Sequence, residues 1–337
     1  MRDFSCFGDA AITLAAGGAA GGGGGGGAGA GAGSALDRSL QAATASVYRV
    51  ALSSRKEFRI KVTWTRGVAG AGAPAAGGPT GLAVAIDDGS RAPAALGTPR
   101  RTTATPAPAH HVLPKKRGTR SFISEAGTAV SIYWDTAEAK YPPSGAPEPS
   151  RDYYLAVVAD GELALLLGGG GDAERDLGRR FAAAPRRALL SRREQVRGPF
   201  APPAYSTAPA AAQLVHTTRC RFRDDGAEHE VTVACRGDEW GARDGEVAVS
   251  VDGKKVVEAR RVKWNFRGNR TAVLGDGAVV EVMWDVHDWW FAAGGGAQFM
   301  VKARGAADGG RLWMDEEMAS KGQPPAGFFL HLQCYRR

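Results

Sequence analysis

Cysteine is scarce. There are four in 337 residues (Cys6, Cys220, Cys235 and Cys334), and none forms a Cys-x-x-Cys pair. That spacing argues against a disulfide framework and a structural zinc site, and it fits a reducing compartment. No apolar run approaches the ~20 residues that a membrane-spanning helix needs. The first twenty residues interrupt their apolar stretch with Asp3, Asp9 and glycines, which makes a poor signal peptide and an equally poor transit peptide. The expected location is therefore intracellular, cytoplasmic or nuclear. Gly168–Gly171 lacks the Gly-x-x-x-x-Gly-Lys-Ser/Thr spacing of a phosphate loop. No nucleophile–base–acid constellation is visible, so no cofactor and no metal site are expected.

What is abundant is small. The 44% hydrophobic fraction is inflated by alanine, much of it in low-complexity stretches. The tract from Ala15 to Gly33 has no side chains with which to build a core, so residues 1–45 are expected to be disordered. The net charge of +8 is unevenly spread. Between Asp172 and Arg197 eight arginines oppose four carboxylates, which places half of the excess in one connecting segment. A nearly balanced remainder argues against a basic face spread over the fold.

Strand signals dominate. Tyr48, Val50 and Leu52 alternate with polar residues, and after a turn Phe58, Ile60, Val62 and Trp64 do so again. Val130, Ile132 and Trp134 share one strand face; Val280, Val282 and Trp284 share another. Gly275-Asp276-Gly277 is a hairpin turn, because glycine and aspartate tolerate positive φ. Arg267–Asn269 reads as a further turn, after a strand over Lys255–Phe266 with Val262, Trp264 and Phe266 inward. Asp224-Asp225-Gly226 turns a hairpin that would set Cys220 opposite Glu230 and Cys235 opposite Val215, so the thiols are not cross-strand partners. Ala188–Val196 fits a short helix or a strand, and Leu312–Met318 a helical turn.

The two halves correspond. Val62-Thr63-Trp64 matches Val231-Thr232-Val233 at an offset of 169, and Ala83–Asp87 matches Ala248–Asp252 at 165. Val130–Asp135 matches Val280–Asp285 at 150. The expected architecture is all-β: duplicated antiparallel sandwich- or barrel-like units with a pseudo-twofold internal repeat. The units would span residues 46–168 and 213–337, joined by a basic, Pro/Ala-rich connector over 169–212.

Three segments carry a resemblance: MRDFSCFG at the start, ALLSRREQV in the middle, and VKWNFRGNRTAVLGDGAVVEVMWDVHDWWF. They resemble the plant family called "domain of unknown function 868", over most of residues 46–335. The resemblance implies a plant origin and an all-β build, and supplies no activity to carry over.

One stretch looks like a site. Asp285-x-His287-Asp288 precedes Trp289-Trp290-Phe291, and in an extended chain Asp285 could orient the His287 imidazole for acid–base work or metal binding. Trp284 and Asp285 recur as Trp134 and Asp135, which marks them as scaffold, whereas His287 falls opposite Ala137. A structural role for His287 is the favoured reading. Trp64, Trp134, Trp264 and Trp284 are expected on apolar strand faces, in a core or lining a ligand cavity, not as stacking platforms. The favoured function is a non-enzymatic binding or scaffold protein. A carrier of an apolar ligand comes second and an enzyme centred on His287 third. A protein partner or a small apolar ligand is expected ahead of nucleic acid.

Overall fold

The computed structural model describes residues 40–66, 80–88, 110–169, 172–197, 214–236, 245–292, 295–304 and 327–335. The Gly/Ala tract, Cys6 and Leu312–Met318 lie outside them. The first strands are β1 (Leu40–Ala51), β2 (Glu57–Arg66), β3 (Thr80–Asp87), β4 (His110–Leu113), β5 (Arg117–Ile123), β6 (Ala129–Asp135), β7 (Tyr154–Ala159) and β8 (Glu162–Gly168). Helix α1 (Asp172–Arg180) and the short β9 (Ala182–Ala183) lead to β10 (Arg186–Arg197). Then come β11 (Leu214–Cys220), β12 (His229–Arg236), β13 (Glu246–Val251), β14 (Lys254–Arg260) and the one-turn helix α2 (Val262–Asn265). The chain continues through β15 (Arg267–Val273), β16 (Val279–Asp285), α3 (His287–Phe291), β17 (Gly296–Ala303) and β18 (Phe329–Tyr335). An all-β protein is what the alternation required.

The strands form three sheets. Nine run in the order β15-β16-β17-β18-β10-β1-β2-β3-β4, four as β11-β12-β13-β14, and five as β5-β6-β7-β8-β9. Residues directly opposite one another in a sheet project to the same side. One row can be followed across the nine-stranded sheet in this way: Gly268, Trp284, Phe299, Leu332, Glu194, Thr44, Trp64, Leu82 and Leu113. Its left end packs into a core with Val231, Val233, Val247 and Val249 of the four-stranded sheet. Its right end packs into a second core with Ile132, Trp134, Leu155 and Val157 of the five-stranded sheet. Both smaller sheets therefore cover the same face of the large one, side by side. Between their cores the row is polar, at Glu194 and Thr44.

Several local expectations shift. Strand β1 begins at Leu40, six residues ahead of Ser46. Ala188–Val196 is a strand, and it is central, antiparallel to β1 and parallel to β18. Leu214 faces Cys235 and Cys220 faces His229, because the turn centres between Asp224 and Asp225 and not on Asp225. Val233, not Val231, pairs with Val249 as Val62 pairs with Val84, so that offset becomes 171. The proposed strand over Lys255–Phe266 stops at Arg260. Arg261 takes a left-handed conformation (φ 53°), which no extended strand passes through, and the next four residues coil into α2. Arg267–Asn269 is accordingly the start of β15 and not a turn.

Candidate functional site

The two hairpins that carry Trp134 and Trp284 are built alike. Arg117 opposes Asp135, and Arg267 opposes Asp285, in registers that match residue for residue at an offset of 150. Each arginine Nε pairs with its aspartate, at 2.8 Å and 2.9 Å. Each indole lies over a glycine: a Cβ on Gly118 would come within 2.7 Å of the Trp134 ring, and one on Gly268 within 2.3 Å of Trp284. The Trp134 Nε1 donates to the Lys115 carbonyl at 2.8 Å, and that of Trp284 to the Asn265 carbonyl at 3.1 Å. Trp134 is buried and Trp284 half-buried. Trp64 is fully buried and meets Tyr153 edge to face at 5.7 Å. These three rings are engaged by the protein's own core.

Trp264 departs from expectation. It does not line an apolar strand face; it sits on α2 and is 77% exposed. The reason is the break at Arg261. Once the chain coils there, Val262 turns inward, fully buried, and Trp264 turns out. Lys263 Nζ lies 5.6 Å from the Trp264 ring, and the Arg267 guanidinium 5.4 Å from the Phe266 ring. Arg260 pairs with Glu258 and Arg267 with Asp285, whereas no carboxylate among the described residues lies within ion-pair distance of Arg261 or Lys263.

His287 joins the same end of the molecule. Asp285 does not touch its imidazole; Asp285 Oδ1 accepts from the His287 backbone N–H at 3.1 Å, at the start of α3. The ring Nδ1 lies 2.8 Å from Asp288 Oδ1; the His287 side chain is half-buried and that of Asp288 exposed. Phe266, His287 and Phe291 form a cluster with centroid distances of 5.2–6.2 Å, mostly edge to face. Trp289 points inward and Phe291 is 46% exposed. Thus Asp285, His287 and Asp288 are near one another without a shared proton path; Trp264 and Phe291 present rings to solvent beside them, and Phe266 packs half-buried against the core.

A second polar centre lies at the seam between the two cores, where sequence reasoning had counted only charge. Glu194 is fully buried on β10. Its Oε1 accepts from Arg192 Nε and Thr218 Oγ1, each at 2.7 Å, and its Oε2 lies 2.8 Å from His216 Nε2. Arg192 also reaches Glu148, in the connection before β7, at 2.5 Å. Burial alone would push the Glu194 carboxyl up, but the Arg192 charge and the His216 contact outweigh it and hold it at about 2. Ionised, fully buried and held by three side chains, this carboxylate is a structural strut. It braces β10 against the four-stranded sheet while Arg192 braces it against the loop of the first half. The available signal was Arg192-x-Glu194-x-Val196, one face of a strand, and it becomes legible only once that segment is known to be extended.

A third polar contact clasps the second half. His229 is buried, with Nδ1 2.7 Å from Asp252 Oδ2 and Nε2 3.2 Å from Asp276 Oδ2, the latter an ion-pair approach without hydrogen-bond geometry. It joins β12 to the β13–β14 and β15–β16 turns. Among the described residues no group of three or more His, Cys, Asp or Glu side chains is placed to hold a metal ion. None of the described helices is long and apolar enough to cross a membrane. The model of one family, described as plant protein of unknown function (DUF868), matches residues 39–335. No curated protein and no solved structure matches the chain.

Proposed function

The chain belongs to the plant family of unknown function DUF868, and from that premise we propose that it is a non-enzymatic binding protein built from two copies of one β unit. The duplication is supported by the two hairpins, whose registers, Arg–Asp pairs and glycine-seated indoles repeat at one offset. Its contact surface is the α2–α3 end of the second copy. The observation that carries this reading is Trp264, 77% exposed between Arg261 and Lys263. At the same offset the first copy has Pro114 between Gly-free, ring-free neighbours, Val112, Leu113, Lys115 and Lys116. A fold that needed an indole there would place one in both copies. Large exposed aromatics beside unpaired cations are the composition of binding hot spots and not of idle surface.

The carrier reading would need Trp64, Trp134 and Trp284 to face a ligand, and each instead packs on protein atoms. The enzyme reading would need a group converging on His287, whose ring contacts are Asp288, Phe266 and Phe291. A photo-crosslinking residue at position 264, set beside one at position 123, tests the proposal in plant cells. Ile123 is 74% exposed but carries no such cluster. Adducts of any chemical class are expected at 264 and not at 123. Equal labelling at both, or none at either, would remove the α2–α3 end as a contact surface.

A further inference from the structure

We propose that the α2–α3 end docks on an anionic lipid surface, with Trp264 and Phe291 entering the headgroup region and Arg261 and Lys263 meeting its charge. This rests on the binding reading above and names its partner. The two rings lie on one-turn helices at the chain's crossings between strands, α2 leading from the four-stranded to the nine-stranded sheet and α3 from β16 to β17. Both helices are pinned from below. Val262 is fully buried, Trp289 nearly so, and Gly245 packs so close to Val262 and Trp290 that an added Cβ would come within 2.4 Å of the valine. The exposed rings are therefore presented on anchored supports, and each side of the pair has its inward partner.

What kind of partner fits is decided by arrangement. A base-stacking platform presents free ring faces beside a continuous track of cations. Here Lys263 Nζ lies over the Trp264 ring, and Phe266, His287 and Phe291 meet largely edge to face. Of the four basic residues in 260–267, Arg260 and Arg267 are engaged by Glu258 and Asp285, which leaves Arg261 and Lys263 for a partner. Two cations make no phosphate track. A protein partner needs a continuous apolar centre within a patch of hundreds of Å², whereas charged side chains surround these rings. A membrane interface suits this pattern. Indole and phenyl rings anchor singly at headgroup depth, charged neighbours stay at the water side, and each Lys or Arg adds attraction to anionic lipid that salt screens.

The test uses the full chain with vesicles of phosphatidylcholine alone and of phosphatidylcholine with about one-third phosphatidylserine, in low and high salt. Co-sedimentation is expected with the anionic vesicles only, weakening as salt rises. Trp264→Ala with Phe291→Ala is expected to lower partitioning by about tenfold or more, since each ring loses its interfacial burial, and Lys263→Glu with Arg261→Glu to abolish it. Ile123→Ala should leave it unchanged. A blue shift of tryptophan emission on binding, absent in Trp264→Phe, would place this ring in the lipid. Vesicle binding that ignores the ring and charge variants would overturn the inference, as would tighter binding to a single-stranded oligonucleotide at the same site. Adducts at position 264 without vesicle binding would sink the lipid assignment and leave the binding reading standing. No adducts and no binding would remove both.

Discussion

The β5–β6 and β15–β16 hairpins are nearly superimposable in their contacts, and the connections that leave them are not. Up to Asp135 and Asp285 the same pairs form, from the Arg–Asp bridge to the indole that donates to a carbonyl two residues ahead of the arginine. Even the next backbone step agrees: Asp135 Oδ1 accepts from the Ala137 N–H as Asp285 Oδ1 does from His287. Beyond it the first half continues as Ala-Glu-Ala-Lys-Tyr and the second as His-Asp-Trp-Trp-Phe, which coils into α3. Residues that recur are those that a hairpin needs to seat an indole on a glycine. Of the residues that do not recur, Trp289 is taken into the core and Trp264 and Phe291 are left to solvent.

The sharpest way to break this comparison is to remove the shared indoles. Trp134→Ala should cost about 3–5 kcal/mol, the range for large aromatics lost from a core. Half-buried Trp284→Ala should cost less, about 2–3 kcal/mol by the same measure. Denaturant midpoints measure both. Equal small losses would mean that the hairpins do not depend on these rings, and the scaffold argument would fail.

Arg192→Ala probes the strut that both halves share. It strands buried Glu194 without its main counter-charge and frees Glu148, so a loss of about 3–5 kcal/mol is expected. Arg192 is one-fifth exposed, which places the expectation at the lower end. A single cooperative transition that moves as a whole would show the two cores melting together through β10. A variant in which one half melts early would show the seam to be the weaker link.

The His229 clasp has no described equivalent in the first half, so it should give the second a pH dependence of its own. Burial pulls the His229 imidazole down, but the hydrogen bond to Asp252 and the nearby Asp276 carboxylate outweigh it and leave it raised. Its contribution is full below the unfolded value near 6.5 and is lost as pH climbs through the raised folded value. Both aspartates are lowered, Asp252 chiefly by His229 and Asp276 chiefly by the Ala278 N–H and then by His229. Their contribution is present above about 3.8 and is lost as pH falls through their folded values. The clasp is therefore strongest between those limits. His229→Gln should lower the melting temperature by a few degrees at pH 5.5 and by less at pH 8. An equal loss at both would show that the ring contributes by packing on Phe222 alone.

The smallest effect is expected where the halves differ. His287→Ala removes a half-buried ring that packs on Phe266 and Phe291 and an exposed contact to Asp288, so stability should fall by about 1 kcal/mol or less. Trp264→Ala should do the same. A loss beyond about 2 kcal/mol at either position would make the α2–α3 end part of the scaffold and withdraw it as a contact surface.

Much of this protein was legible in its residues because strands announce themselves by a period of two. Val130, Ile132 and Trp134 face inward as their alternation requires, and the Gly275-Asp276-Gly277 turn closes where φ can be positive, at Gly277. The recurrence of Trp-Asp at an offset of 150 pointed to two hairpins that share their register and their Arg–Asp pairs. Three features were decided only in three dimensions. Trp264 alternates as an inward strand residue does, and a single left-handed residue, Arg261, turns it to solvent; alternation cannot register one φ angle. Cys220 lies opposite His229 because a long turn shifted register by one, and turn composition does not fix turn length. Glu194 reads as one charge among many until β10 is placed at the seam, where His216 and Thr218 of the four-stranded sheet bond it directly and its strand neighbour Arg192 links it to Glu148 of the first half. Local periodicity specifies which side of a strand is apolar. Which strands become neighbours, and so which buried charges must find partners, depends on pairings between distant segments that no window of sequence contains.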